Sequence, residues 1–234
     1  MRIDIMTLFP DAVEAMMGSS IIGRARERGF VTIQTHQIRD YTTNKQMQVD
    51  DYPYGGGRGA VMQADPLYRC WQHICDEAGE RVHTIYMSPC GRVLTQQVAR
   101  ELKAQYDHLI LVCGHYEGVD QRFLDECVDE EISTGDFVLT GGEIAAMAIT
   151  DAVCRMVPGV LAEDAEEAGS STASAAPGRQ LTERERVSNR ARVRLIGCIV
   201  GVVPFSSDGR HHKGEPGENK PMCFHNNYKT VYKK

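Results

Sequence analysis

Short apolar runs recur along this chain at intervals that leave room for one helix between them, and no other feature constrains the fold as much. Arg2 to Phe9 (RIDIMTLF) and Val31 to Ile38 (VTIQTHQI) read as strands, and Val82 to Ser88 (VHTIYMS) and His108 to Cys113 (HLILVC) as buried ones. Helical patterns separate and follow them. Pro10 and Asp11 open a helix-like stretch to Met17, and Asp65 to Ala78 places Leu67, Cys70, Trp71 and Ile74 on one face. Thr95 can cap a helix to Tyr106, a short helix spans Asp120 to Cys127, and Glu143 to Met156 is alanine-rich and helical. Strands alternating with helices of this size need crossover connections. The expected class is therefore α/β, a mostly parallel sheet with helices on both faces. Between Tyr41 and Gly59 the periodicity is lost, and TTNKQMQVDDYPYGGGRG reads as one long loop.

The character of the sequence changes near Ala162. An acidic, Ser/Ala-rich stretch (AEDAEEAGSSTASAAPG) is followed by an Arg-rich one (RQLTERERVSNRARVRL) and, after the apolar patch Leu195 to Phe205, by a Gly, His and Lys-rich end. Such composition favours a flexible linker over residues 162–180 and a tail of doubtful order over 181–234, behind a folded domain at 1–161. Charge divides at the same place. Met1 to Leu161 carries 14 Lys and Arg against 23 Asp and Glu, a net of −9, whereas the remainder carries 12 against 9, a net of +3. An acidic body argues against a nucleic-acid partner, which normally meets a basic footprint. No 18-residue apolar run or signal-peptide pattern occurs, so no membrane span is expected and the cytoplasm is the expected location. The eight cysteines are scattered singly with no C-x-x-C pair, so reduced, mostly buried thiols are expected and no metal site.

Three glycine-containing segments each follow a predicted strand: SPCGR at Ser88 to Arg92, CGHYEGVD at Cys113 to Asp120, and STGDFVLTGGE at Ser133 to Glu143. In a parallel sheet, loops leaving the carboxyl ends of the strands converge on one crevice, where ligands bind. Glycines there let backbone groups approach a flat or charged ligand closely. Each segment alone also fits a plain tight turn. Neither G-x-G-x-x-G nor G-x-x-x-x-G-K-[ST] is present, which removes the usual phosphate-binding readings, and the triplet Gly55 to Gly57 has no Lys-Ser/Thr pair or helix start behind it.

Six segments taken together closely resemble bacterial tRNA (guanine-N1)-methyltransferases: TLFP at Thr7 to Pro10, VDDYPYGGGRG at Val49 to Gly59, YMSPCG at Tyr86 to Gly91, CGHYEGVDQR at Cys113 to Arg122, EEISTGDFVLTGGE at Glu130 to Glu143, and VPGVL at Val157 to Leu161. Order and spacing match throughout residues 1–161. The resemblance implies the trefoil-knot fold of the SPOUT class, against the general rule that chains do not thread their own loops. It implies S-adenosylmethionine as cofactor, held by Tyr86, Met87, Ser88, Pro89 and Gly91 in the first loop, by Gly114, Tyr116, Glu117 and Gly118 in the second, and by Thr134, Gly135, Asp136, Phe137, Val138, Leu139, Gly141 and Gly142 in the third. Backbone groups would read the adenine edge while Met87, Val138 and Leu139 flank its ring.

The implied reaction methylates N1 of the guanine just 3′ of the anticodon, position 37 of transfer RNA. N1 carries a proton at neutral pH, so a general base must remove it while a cation or donor steadies the charge developing toward O6. The resemblance makes Arg155 the cation, although on position alone it also fits a helix C-terminal charge. The base of the family is a linker aspartate soon after VPGVL. Asp164 is the aspartate in that neighbourhood, crowded by other acidic residues and at a shorter spacing, and the family's acidic residue-Asp-Ser-Phe and Tyr-Thr-Arg-Pro text has no counterpart here. The resemblance also implies a homodimer with its active site at the subunit interface. Arg24, Arg26, Arg28, Arg39, Lys45 and Arg58, in or near loops on the N-terminal side, can form a local basic patch despite the acidic body. A second reading is a product that binds S-adenosylmethionine but is catalytically impaired, truncated or frameshifted after about residue 161.

Overall fold

A computed structural model describes residues 1–53 and 59–161, all within the first of two units into which the chain divides, Met1–Gly169. Asp164, Arg58, the triplet Gly55 to Gly57, the linker and the tail lie outside the described residues.

A five-stranded sheet organises the rest. β1 (Arg2–Thr7), β2 (Thr32–Gln37), β5 (His83–Val93), β6 (His108–Val112) and β7 (Glu130–Ser133) stand in the order β2-β1-β6-β5-β7, and every neighbouring pair is parallel. Helices cover both faces, as the alternation of patterns required. On one face α1 (Pro10–Met17), α2 (Ser20–Glu27), α4 (Gln96–Gln105) and α6 (Glu143–Cys154) close over Ile3, Ile5, Ile33, Ile85, Leu109, Leu111 and Ile132. On the other, α3 (Ala64–Ala78) and α5 (Gln121–Cys127) close over Met6, Ile110 and Val112. β1 and β6 thus send successive residues to opposite cores, the period-two geometry of a strand buried on both sides.

Helix starts follow their local chemistry. Pro10 occupies the first turn of α1, where its missing N–H costs nothing, and Thr95 accepts a hydrogen bond from the Val98 amide at 3.2 Å to cap α4. α2 was not foreseen. Its buried face is Ile22, Gly23 and Ala25, too small to give the apolar periodicity that marks a helix, and a Cβ on Gly23 would lie 2.2 Å from the Gly18 carbonyl oxygen. The expected long loop from Tyr41 to Gly59 also holds some order, since β3 (Asp50–Asp51) pairs antiparallel with β4 (Val61–Met62).

Register sets the position of the site. Tyr86 pairs with Val112 on one side and Glu131 on the other, so the last residues of β6 and β7 flank β5 near Tyr86. The expected free loop at Ser88 to Arg92 is corrected by the structure. β5 runs on to Val93, and Met87 and Arg92 both pair with Ile132, so four residues bulge out of the ladder without ending the strand. Gly91 permits this. A Cβ there would lie 2.4–2.6 Å from the backbone of Glu131 and Ile132.

Candidate functional site

The bulge of β5 and the segments that leave β6 and β7 enclose one cavity of about 270 Å3, near the small end of the range for small-molecule sites. Its first wall is Tyr86, Met87, Ser88 and Pro89; its second is Gly114, His115, Tyr116, Glu117 and Gly118; its third runs from Ile132 through Gly135 and from Phe137 through Gly142, with Ala145 of α6 behind. All the residues foreseen in these loops are brought together except Gly91 and Asp136, which do not line the cavity. Gly91 instead supports the first wall through its contact with β7.

Conformation explains why small residues stand here. The second loop turns through a left-handed Tyr116 (φ 59°) and then Gly118 at φ 134°, a conformation that glycine tolerates best. Gly114 lies under the Tyr86 ring, with room for no side chain, since a Cβ would meet the phenol oxygen at 2.7 Å. Gly142 donates its amide to the Gly114 carbonyl at 3.0 Å and sits 2.7 Å, measured from its would-be Cβ, from the Cys113 Cα. The second and third loops are therefore in backbone contact. The second is also tied outward, through Glu117 N–H to Ala60 O at 3.0 Å and Met62 N–H to Gly118 O at 2.9 Å, so the end of the glycine-rich segment lies beside it.

Polar side chains, among them Tyr86, Ser88, His115, Glu117 and Thr134, share the lining of the cavity with apolar ones. Burial pushes the Tyr86 phenol up to about 12, so it stays a hydroxyl. Burial, with Glu143 nearby, raises the Cys113 thiol well above its ordinary value, which removes it as a nucleophile. Met87, Ile132 and Leu139 give apolar walls, whereas Tyr116, Phe137 and Val138 stand exposed at the rim, Val138 by 86%. A slot that combines apolar walls with polar side chains suits a flat heterocycle with a polar edge.

Two residues that the sequence reading passed over belong here. His115 lines the cavity, and Glu143, in the first turn of α6, is buried behind it with its carboxylate 2.8 Å from His115 Nε2. The signal was a carboxylate directly after Gly-Gly at a helix start, where helix-dipole and packing roles are both usual. Arg155 is not brought to the cavity of its own chain. It caps the C-terminal end of α6, and the twelve residues of that helix separate it from Gly142 by roughly 18 Å at 1.5 Å per residue. Of the expected basic patch, Arg26 is committed to Glu14 at 2.8 Å and to the Ile33 carbonyl at 3.0 Å, while Arg24, Arg28 and Lys45 are exposed. Six cysteines are described, and Cys70, Cys113, Cys127 and Cys154 are buried.

Comparison with known proteins bears on this arrangement. The family described as tRNA (Guanine-1)-methyltransferase TrmD matches residues 1–179. A tRNA (guanine-N(1)-)-methyltransferase of Ruminiclostridium cellulolyticum is 50% identical over 164 residues, covering 70% of this chain and 70% of that protein. One from Carboxydothermus hydrogenoformans is 51% identical over 164 residues, covering 70% of this chain and 63% of that protein, so the match spans about two thirds of these curated relatives. The crystal structure of tRNA (m1G37) methyltransferase from Aquifex aeolicus superposes with a TM-score of 0.64 at 37% identity, over 70% of this chain and 72% of that one. The family match runs beyond residue 161, past Asp164 and through the acidic stretch. The truncated-product reading, which placed the loss of resemblance at 161, is not favoured.

Proposed function

Because the chain belongs to the tRNA (Guanine-1)-methyltransferase TrmD family, we propose that it transfers a methyl group from S-adenosylmethionine to N1 of guanine 37 in transfer RNA. The observation that carries this reading is the convergence of three family loops, from three adjacent parallel strands, on one cavity. The residues present fit the donor. Gly114, Gly141 and Gly142 let the loops pack closely against Tyr86, His115 and Cys113 around the cavity, and Met87, Ile132 and Leu139 supply apolar surface for a purine ring. S-adenosylmethionine, when bound, offers an electrophilic methyl group on a sulfonium sulfur.

The chain's own residues have three tasks. The glycine loops orient the donor and exclude water from it, which converts transfer into an effectively unimolecular step once guanine is seated. A carboxylate takes the N1 proton, and Asp164, within the matched segment, is the residue proposed for it. Arg155 steadies charge at O6. Its distance from the cavity of its own chain supports a homodimer in which Arg155 of one subunit serves the cavity of the other. The trefoil knot of the SPOUT class and work in the cytoplasm complete the proposal, and among the described residues no helix is long and apolar enough to cross a membrane. Domain limits at 1–161, 162–180 and 181–234 are part of it as well.

A methyl-transfer assay on unmodified transcripts tests the function: incorporation into a G37 transcript and none into its A37 counterpart is expected. Equal labelling of both overturns the assignment of the guanine.

A further inference from the structure

We propose that His115 and Glu143 are a positioning pair that locks the second and third loops of the donor cavity to the end of β1, and so sets affinity for the methyl donor. The inference rests on the donor-site reading above and names residues to which that reading gave no role.

The pair is built around one buried carboxylate. Glu143 is 11% exposed at its side chain and His115 13%, so both are largely removed from water. Glu143 Oε1 accepts from the Thr7 hydroxyl at 2.7 Å, and both carboxylate oxygens lie 2.8 Å from His115 Nε2, which donates to them. Thr7 is itself fixed, because its hydroxyl also accepts the Phe9 amide at 2.9 Å. The Phe9 ring then stands edge-on to the imidazole with centroids 5.1 Å apart. Three elements thus meet at this carboxylate: the end of β1, the second loop and the start of α6.

The imidazole also occupies the space between loops. A Cβ on Gly141 would fall 2.2 Å from His115 Cε1 and 2.6 Å from Glu143 Oε2, so the third loop packs directly on the pair. Next to it, the Gly142 amide reaches the Gly114 carbonyl, one residue before His115. If the ring turned away, Gly114 to Gly118 and Gly141 to Gly142 would lose their common support. Buried polar contacts of this kind are costly to leave half-made, because the carboxylate would then keep only the Thr7 hydroxyl as donor. Neither residue is asked to touch the reacting atoms.

His115→Leu removes the donor and keeps much of the volume, while His115→Gln retains an N–H in reach of Glu143. Calorimetric titration of the full chain with S-adenosylmethionine is expected to show binding weakened about tenfold or more by His115→Leu and recovered to within about threefold of wild type by His115→Gln. In steady-state assays His115→Leu should raise KM for the donor and leave KM for transfer RNA unchanged. Donor binding by His115→Leu within twofold of wild type overturns the proposal, as does failure of His115→Gln to recover it. Should His115→Leu not fold, Thr7→Val decides, with threefold or greater weakening expected and unchanged affinity overturning the pair. A wild-type chain that binds no S-adenosylmethionine contradicts the donor-site reading itself, an outcome distinct from variants that bind like wild type.

Discussion

Asp4 shows how much one residue can carry in this fold. Its side chain is buried in the central part of β1 and is ligated by Arg2 Nε at 2.7 Å, by His36 Nε2 at 2.7 Å and by His108 Nε2. Burial alone would raise the carboxyl, yet hydrogen bonds from His108, His36 and Arg2 outweigh it and hold it well below the usual carboxylate range. Three strands, β2, β1 and β6, are pinned at this point. A folded-state value lowered below the unfolded one of about 3.8 means that the stabilisation is fully present above about pH 4 and is lost as pH falls below it. Asp4→Asn should therefore destabilise the chain by about 3 kcal/mol at pH 7, with the difference from wild type shrinking steadily below pH 4. Urea unfolding at several pH values checks both parts. At the same scale, Gly142→Ala would force a Cβ against the Cys113 backbone, and a loss of roughly 1–3 kcal/mol with weakened donor binding is expected from denaturation and calorimetry.

Elements were legible in unequal degree, and the reason is physical. β6 is a run of large apolar residues buried on two sides, β1 and the start of β5 alternate such residues with polar ones, and helices such as α3 carry a clear apolar face, so all could be read from spacing. α2 hides its face in Gly23 and Ala25, and β3 and β4 are two residues each, below what periodicity can register. The continuation of β5 through Gly91 was missed because a bulge looks locally like a turn; only the partner strand reveals it. That bulge is a testable joint. Gly91→Ala would place a Cβ within 2.6 Å of three backbone atoms of β7, so thermal unfolding should begin several degrees lower and donor affinity should fall with it. By contrast Thr95→Ala removes only the cap of α4, away from the cavity; about 1 kcal/mol lower stability with unchanged methyl transfer is expected, measured on one preparation.

For the whole molecule, the site was legible because three loops that are far apart in sequence share glycines, and a parallel sheet must gather them at one edge. Their spacing could not show that Glu143 reaches back to Thr7, a contact across 136 positions, or that Arg155 stands at the far end of α6 from the cavity it was expected to serve. That separation is why the proposal places Arg155 of a second subunit at the cavity. It also means that the donor half of the site and the acceptor half can be judged separately. Whether the cavity holds a methyl donor for guanine 37 is decided by transfer of labelled methyl from S-adenosylmethionine to transfer RNA transcripts by the full chain. Label on N1 of guanine 37, lost when that guanine is replaced, is expected; label elsewhere on the transcript, or donor binding with no transfer at all, would overturn the assignment.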